Sequence, residues 1–317
     1  MREADADSDI LTAILAGVFS TARHLTFHRT AEGVSTPVYR IHADDRIYYL
    51  RLAESPEASL VPEAHLHHLL GIRAVHAPDV IYFDPLNSAL GRSLMITSEI
   101  AGKPVDGRVA QAQRRKILLA AGRDLAKINS IPVAGFGWID RSGSESNVLR
   151  AEYPTCRAFI ASALDDYLCR LLEVGVLSEA TMQSILSLVA YVEANAQANQ
   201  SAWLAHGDFD TSHIFQENGR YSGIIDFGEI RGADKLYDLG HFLLHDGERI
   251  SEPLLPYLLA GYNEVTPLPP NYEQCIRGWA IVIGINSLGR LAKKRPEDFR
   301  ALPLYRWVSQ KLPTLLG

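Results

Sequence analysis

The sequence predicts an α+β protein with a small β-rich N-terminal lobe and a larger helical C-terminal lobe. The first hundred residues hold short apolar segments typical of strands, and a Gly/Pro break, "AGKPVDG", follows at residues 101–107. Beyond the break, apolar residues recur at helical spacing except in one strand-rich stretch at residues 202–227. We therefore place the N-terminal lobe at residues 1–97, a hinge at 98–102 and the C-terminal lobe at 103–317.

The elements of the N-terminal lobe follow from alternating apolar patterns. An opening apolar helix, "ILTAILAGVF", precedes the strand "HLTFH" and a hairpin made of "TPVYRIHA", a polar "DD" turn and "RIYYLRLA". A helix is predicted to begin at Pro62, a residue favoured in the first turn, and to continue through "EAHLHHLLGI". Two more strands, "PDVIYF" and "SLMITSEI", complete this lobe.

Helical periodicity dominates the C-terminal lobe. Further helices are predicted at residues 154–173, at 178–197 and from 234 to the end, and the strand-rich stretch contains "AWLAHGDF", "HIFQ", an "ENGR" turn and "YSGIID". The first helix of the lobe, residues 108–129, places on one stripe Ile117, Leu118, Ala121, Leu125 and Ile128. The C-terminal lobe is thus predicted to be helical with one β-hairpin inside it.

Composition and charge exclude several classes of protein. The chain of 317 residues is 47% hydrophobic and 21% charged, as a soluble globular protein should be. Its formal net charge of −6 favours neither nucleic acid nor an anionic membrane surface, and no apolar run is long enough for a bilayer. A mild acidic excess would suit a cationic substrate, but it is equally ordinary for a soluble protein.

The cysteines and the N-terminus predict a cytoplasmic location. Cys156, Cys169 and Cys275 are odd in number and widely spaced, which argues against a disulfide framework or a zinc site. The segment "MREADADSDI" is acidic, the opposite of the start of a signal peptide. Oligomeric state is left open by the sequence.

Residues able to carry out chemistry cluster in the strand-rich stretch. "HGDFDTSH" contains His206, Asp208 and His213, and Asp226 opens "DFG" at the end of a strand. A loop and hairpin of this length can fold Asp226 back beside Asp208. Phosphoryl transfer needs such a set, because a divalent metal bridges the nucleotide phosphates while a separate carboxylate receives the acceptor hydroxyl. Magnesium prefers few carboxylates together with phosphate oxygens and waters, so one aspartate and one weaker ligand suffice.

These motifs resemble the signature of the aminoglycoside phosphotransferase family. That signature is His-x-Asp, an asparagine five residues after the aspartate, a strand ending Ile-Asp-[Phe/Trp]-[Gly/Ser], and a Tyr-Asp-Leu segment. Here "HGDFDTSH" and "GIIDFGEIRGADKLYDLG" match it at the right spacing, and the resemblance covers most of the chain, most strongly residues 203–243. It implies a bilobal protein-kinase-like fold.

The resemblance implies a role for each motif residue. Asp208 matches the catalytic aspartate that orients or deprotonates the acceptor hydroxyl, and Asp226 matches the metal aspartate. His206 and Asp238 match positions with structural roles. His213 departs from the pattern, since most relatives have asparagine there and imidazole nitrogen is a poorer partner for Mg²⁺. Family members that phosphorylate macrolides are similar in having histidine here, so a metal or phosphate contact by His213 stays open beside a purely packed histidine.

The nucleotide side is predicted from position in the N-terminal lobe. Arg51 stands where kinase-like folds use a phosphate-binding lysine, as in the hygromycin-phosphorylating branch, and arginine can grip phosphate through two hydrogen bonds. Glu63 could pair with Arg51 or be a first-turn helix charge. The loop "TAEGVSTPVYRI" matches the nucleotide-covering loop, and the base would contact the hinge backbone. The residues concerned are Gly33, Ser35 and Thr36 in the loop and Thr97, Ser98, Glu99 and Ile100 at the hinge.

The sequence therefore indicates a small-molecule kinase that uses Mg²⁺ and ATP or GTP to phosphorylate a hydroxyl. The family resemblance implies an aminoglycoside acceptor, whereas His213 favours a macrolide. A hydroxylated metabolite such as an amino alcohol or amino sugar is a further alternative. A nucleotide-binding pseudokinase without turnover is the alternative, because Arg51 and His213 both depart from the usual residues. An acidic rim for a cationic acceptor, or ordinary surface charge, is offered by Asp210, Glu229, Asp246 and Glu248.

Overall fold

The computed structural model describes residues 8–30, 37–142, 148–199 and 201–317, with only the backbone for 197–199. The chain divides into two compact units. The N-terminal unit comprises Met1–Ala101 and Asp140–Leu149, and the C-terminal unit comprises Gly102–Ile139 and Arg150–Gly317.

The N-terminal unit is built on a five-stranded antiparallel sheet with strand order β1-β2-β3-β5-β4. Two helices accompany the sheet. The elements are α1 Ser8–Val18, β1 Leu25–Arg29, β2 Val38–Ala43, β3 Arg46–Leu52, α2 Val61–Ile72, β4 Val80–Asn87 and β5 Arg92–Ser98.

Alternation along the strands forms the core of this unit. Successive side chains of β2 alternate between buried and partly exposed positions, which places Ile41 inside, opposite Tyr48 of β3. Leu11 and Leu15 of α1 pack into the same cluster. The tight "DD" turn requires Asp44 at a positive φ of 52°, a conformation that aspartate tolerates better than most residues.

The C-terminal unit contains most of the helices of the described chain. Its first part comprises β6 Lys103–Pro104, α3 Gln111–Ile128, β7 Pro132–Val133, β8 Phe136–Ile139, β9 Ala151–Tyr153, α4 Cys156–Glu173 and α5 Glu179–Asn199. Its second part comprises β10 Ala202–Ala205, β11 Ile214–Glu217, β12 Arg220–Ile224, a 3₁₀ turn Phe227–Glu229, β13 Arg231–Ala233, α6 Tyr237–His245, α7 Leu255–Val265, α8 Tyr272–Lys294, a 3₁₀ turn Phe299–Ala301 and α9 Pro303–Leu316.

Close helix packing holds the C-terminal unit together. Helices α3 and α7 approach backbone to backbone, because a Cβ at Gly122 would lie 2.1 Å from the carbonyl oxygen of Leu258, and one at Gly261 would lie 1.9 Å from that of Leu119. Helix α8 runs through the core with Trp279 fully buried. Any larger residue at these two glycines would force the helices apart.

Strands are more numerous in the C-terminal unit than the sequence predicted. Besides the hairpin of β11 and β12, joined by a turn with positive φ at Asn218 and Gly219 and flanked by β6, a second sheet has the order β7-β10-β13-β8-β9. The expectation of a single hairpin was wrong here. The extra strands are two to four residues long and rich in Gly and Pro, so they carry too little alternation to be recognised.

The predicted fold class, a β-rich N-terminal part followed by a larger helical part, is confirmed by this order of elements. Within the described ranges, none of the helices combines the length and the apolar character needed to cross a membrane.

Candidate active site

The loop between β10 and β11 is held in place by a buried carboxylate from α6. Asp238 Oδ2 accepts hydrogen bonds from the backbone nitrogen of His206 at 2.8 Å and from Asn129 Nδ2 at 2.8 Å. Asp238 Oδ1 accepts one from the backbone nitrogen of Gly207 at 2.9 Å. These bonds satisfy a fully buried charge and fix the backbone that leads into Asp208.

Position 207 in this turn requires glycine. Its φ is 88°, and a Cβ would lie 1.9 Å from the carbonyl oxygen of Glu229. A side chain would meet both a disfavoured backbone conformation and a backbone atom that cannot move aside.

The His206 ring links the two halves of the motif. Its Nε2 lies 2.9 Å from the carbonyl oxygen of Ile225, which can only accept, so Nε2 carries the proton. Nδ1 then accepts from the backbone nitrogen of Asp208 at 3.4 Å. Burial lowers the pKa of His206, and the nearby His213 ring lowers it further, in keeping with a neutral ring. His206 therefore ties the loop of Asp208 to the residue before Asp226.

Asp208 combines an exposed carboxylate with a buried histidine partner. Its side chain is 45% exposed, and Oδ1 lies 3.3 Å from Nε2 of His241, which is itself buried. Partial burial on its own would raise the pKa of Asp208, but the hydrogen bond and charge of His241 hold that pKa well below its usual range. The carboxylate is thus ionised throughout the physiological pH range.

The His213 ring lies close to two carboxylates. Its Nδ1 lies 2.6 Å from the carbonyl oxygen of Asp208, so Nδ1 is the protonated nitrogen. The other ring nitrogen, Nε2, lies 4.0 Å from Asp208 Oδ2 and 3.9 Å from Asp226 Oδ2. One imidazole nitrogen therefore stands between the two aspartates that the motif brings together.

Asp226 adopts a backbone conformation that few non-glycine residues adopt. Its φ and ψ are 64° and 71°, and its Oδ1 accepts a hydrogen bond from the backbone nitrogen of Gly228 at 3.3 Å. The side chain is 54% exposed. Strained backbone of this kind is concentrated at functional sites, where it aims a side chain.

A second set of atoms at this loop has spacing suited to a metal ion. Ligand atoms of Asp208, Asp210 and His213 all lie within 4.8 Å of one another. Oδ1 of Asp210, however, already accepts hydrogen bonds from the nitrogen and hydroxyl of Ser212. Asp226 accepts fewer hydrogen bonds than Asp210, and its Oδ2 faces His213.

The acidic residues around the motif have partners of their own. Asp210 accepts a hydrogen bond from the backbone nitrogen of Ser212, and Asp246 accepts hydrogen bonds from those of Leu254 and Leu255. Glu229 pairs with Arg231 at 3.3 Å, and Glu248 pairs with His245 at 2.6 Å. Each of these four carboxylates therefore already has a partner within the chain.

In the N-terminal unit, Arg51 and Glu63 form an ion pair. Arg51 Nη1 lies 3.2 Å from Glu63 Oε2. The other oxygen, Oε1, lies 2.7 Å from Nη2 of Arg141. Since the Glu63 side chain is only 1% exposed, two guanidinium groups neutralise a carboxylate that burial would otherwise penalise.

The predicted hinge residues belong to the end of β5 and the segment after it. Ser98 exchanges backbone and side-chain hydrogen bonds with Asp79, and Glu99 Oε1 lies 3.5 Å from Arg40 Nη2. Ile100 is partly buried. The loop residues Gly33, Ser35 and Thr36 lie outside the described residues.

Most of the chain matches the model of one protein family. A family model described as "Phosphotransferase enzyme family" matches residues 26–276. The chain belongs to this phosphotransferase family. The predicted family membership is confirmed, and the match contains residues 206–213, Asp226 and Asp238.

Solved structures share the fold of this family member at low sequence identity. A thermostable mutant of aminoglycoside phosphotransferase APH(4)-Ia, in a ternary complex with ADP and hygromycin B, superposes with a TM-score of 0.64 at 16% identity, covering 96% of this chain and 97% of the other. A candidate fructosamine-3-kinase from Haemophilus somnus 129PT gives 0.60 at 14% identity, with 97% of each chain covered. The sequence has no significant match among curated proteins.

Three residues that contact the predicted site residues or Asp238 were not singled out from the sequence. Asn129 and Arg141 contact Asp238 and Glu63 from positions far away in sequence, and no local pattern marks them. His241 left a signal, because it lies three residues after Asp238 on one helix and so shares the helix face that carries this buried aspartate.

Proposed function

We propose that this phosphotransferase is a small-molecule kinase that transfers the γ-phosphoryl group of ATP or GTP to a hydroxyl. One observation carries the proposal: Asp208 is an ionised, half-exposed carboxylate on a rigidly held loop, with His213 Nε2 located between it and Asp226. Such a carboxylate accepts the hydrogen bond of a hydroxyl nucleophile in phosphoryl transfer.

The chemistry assigns one role to each group. The acceptor oxygen forms a bond to the γ-phosphorus as the bond from that phosphorus to the bridging β,γ-oxygen breaks, and the nucleoside diphosphate leaves. The hydroxyl proton passes to Asp208, which orients the oxygen before the step and holds the proton after it. Asp238, His206 and Gly207 keep the loop in this geometry.

Asp226 and His213 fit a divalent metal. Asp226 Oδ2 and His213 Nε2 are 3.9 Å apart, and because Nδ1 bonds to the backbone, Nε2 is the nitrogen that could bind a metal. Mg²⁺ held by these atoms would neutralise charge on the nucleotide phosphates. With one carboxylate oxygen and one nitrogen from the protein, phosphate oxygens and waters would complete its coordination.

For the nucleotide we propose Arg51 as the phosphate-binding cation. Glu63 holds its guanidinium in the N-terminal unit, as a helix glutamate holds the strand lysine of kinases. Residues 1–97 would form the nucleotide-binding lobe, with Ser98, Glu99 and Ile100 of the 98–102 hinge near the base. Gly33, Ser35 and Thr36 remain our prediction for the covering loop, and residues 103–317 for the lobe with the acceptor site.

The acceptor we propose is a hydroxylated antibiotic, an aminoglycoside or a macrolide, with a role in resistance. The structural relative in complex with hygromycin B supports the first, and His213 the second. A hydroxylated metabolite is a further candidate, supported by the relative described as a candidate fructosamine-3-kinase. We propose a cytoplasmic location, in line with three free cysteines.

A nucleotide-binding pseudokinase is the second candidate. His213 favours it, because a nitrogen ligand binds Mg²⁺ less well than the amide oxygen that most relatives have there. Such a protein would bind nucleotide without transferring phosphate.

The test is a coupled nucleotide-turnover assay with Mg²⁺. ATP and GTP are tested in parallel against aminoglycosides, macrolides and amino alcohols, with Asp208→Asn protein as the blank. Turnover stimulated by one class of compound, and absent from the blank, would establish the kinase and its acceptor class. Tight nucleotide binding without stimulated turnover would favour the pseudokinase, and absence of both would overturn the proposal.

A further inference from the structure

His241 is a buried imidazole between two acceptors. Its Nδ1 lies 3.2 Å from the carbonyl oxygen of Phe209, which can only accept a hydrogen bond. Its Nε2 lies 3.3 Å from Asp208 Oδ1. Both nitrogens therefore face groups that require a proton, which makes the imidazolium the form that satisfies both contacts.

Charge in the surroundings agrees with this assignment. Burial alone would lower the pKa of His241, but the hydrogen bond and charge of Asp208, and the charge of Asp210, raise it. The ring of His245 lies 4.9 Å from that of His241 between centroids, and His245 in turn pairs with Glu248.

The two carboxylate oxygens of Asp208 have different surroundings. Oδ1 faces His241 on α6, whereas Oδ2 lies 4.0 Å from His213 Nε2. A carboxylate that is half exposed rotates freely unless one oxygen is anchored, and an oriented base needs that anchor. Helix α6 is itself anchored to the loop through Asp238.

We propose that His241 is the positioning residue of Asp208: by donating from Nε2 to Oδ1 it fixes the carboxylate so that Oδ2 receives the acceptor hydroxyl. The inference rests on the kinase proposed above and extends it to a residue outside the family motif. The bond from Nδ1 to Phe209 would serve the loop backbone only.

Two amide substitutions distinguish the roles of the two hydrogen bonds of His241. The amide nitrogen of His241→Gln can replace Nε2 and keep the donor to Asp208, whereas that of His241→Asn can replace Nδ1 and keep the donor to Phe209. We expect His241→Gln to keep kcat within about fivefold of wild type, and His241→Asn to lower kcat about 10- to 100-fold, the value of one charge-assisted hydrogen bond. The KM for nucleotide should hardly change in either variant.

The reverse order, with His241→Asn active and His241→Gln impaired, would mean that His241 only supports the backbone and would overturn the proposal. Equal losses in both variants would overturn it as well. A wild-type protein without turnover would instead remove the proposed kinase and this role with it, so the two failures are distinguishable.

A measurement on the folded wild-type protein covers the case in which a variant does not fold. The Nε2–H proton of His241 should give a downfield NMR signal from its bond to a carboxylate, and Asp208→Ala should move or abolish it. An unchanged signal in folded Asp208→Ala protein would contradict the proposed bond.

Discussion

Asp238 Oδ2 lies 2.8 Å from the backbone nitrogen of His206, and this bond joins helix α6 to the loop that carries Asp208. Both partners are fully buried. A carboxylate on another element therefore fixes the conformation of this loop, and α6 also places His241 next to Asp208. A change at Asp238 should affect the loop as a whole.

Asp238→Asn is expected to lower the free energy of unfolding by about 2 to 4 kcal/mol. The amide replaces one acceptor oxygen with a donor that faces the donors of the loop. The matched control is Asp166→Asn, which changes an exposed side chain paired with Lys293 at 3.3 Å and should cost less than about 0.5 kcal/mol. Urea denaturation of both variants measures the difference. Equal losses in the free energy of unfolding would show that the Asp238 carboxylate does not fix the loop.

Asp208→Asn should lower kcat about 100- to 10,000-fold, because the amide cannot take the acceptor's proton. Nucleotide affinity should stay within about twofold, since the substitution leaves the backbone of the loop intact. Asp210→Asn removes the same charge two residues away and should have a much smaller effect. Similar losses in both variants would point to general electrostatics rather than to a catalytic carboxylate.

His213→Asn should shift the response to metal toward Mg²⁺. An amide oxygen is a harder ligand than imidazole nitrogen, so half-saturation should occur at a lower Mg²⁺ concentration and the ratio of activity with Mn²⁺ to that with Mg²⁺ should fall. The measurement is turnover over a titration of each metal, with His245→Asn as the control. If turnover depends on Mg²⁺ and Mn²⁺ as it does in wild type, His213 does not bind the metal and only packs against its neighbours.

Arg51→Ala should raise the KM for nucleotide about 10-fold or more, the value of a charge-assisted bond to phosphate. Arg141→Ala is its matched control. Each variant removes one of the two guanidinium groups on Glu63, so both should lose similar stability, but only Arg51 is proposed to contact phosphate. If both variants raise the KM equally, the effect comes from Glu63 and Arg51 has no separate role.

Sequence alone predicted those features that depend on local spacing. The order of the longer helices and strands, the turn of "ENGR" and the positions of Asp208, His213 and Asp226 on loop and strand end all follow from residues within a short segment. His241 and Arg141 were missed because their contacts depend on how α6 packs and on the path of residues 140–149. Strands β6 to β9 and β13 were missed because they are too short for their alternation to be seen.

His67 offers a test of the N-terminal unit by pH. Its Nδ1 lies 2.7 Å from the carbonyl oxygen of Pro78, so the neutral ring satisfies the contact. Burial lowers the pKa of His67, an effect only partly opposed by the bond to Pro78 and by the charges of Glu63 and Asp79, while Arg51 lowers the pKa further. The folded state thus binds a proton less readily than the unfolded chain, whose histidines titrate near pH ~6.5.

Stability from this group is therefore fully present above the unfolded pKa and is lost as pH falls below it, because the unfolded chain then binds more protons. His67→Asn keeps a donor to Pro78 but cannot titrate, so its unfolding free energy should fall less than that of wild type between pH 7.5 and 5.5. The same substitution at the exposed His68 is the matched control. Denaturation at a series of pH values gives the three slopes, and a His67→Asn slope equal to that of wild type would show that the ring is protonated equally in both states.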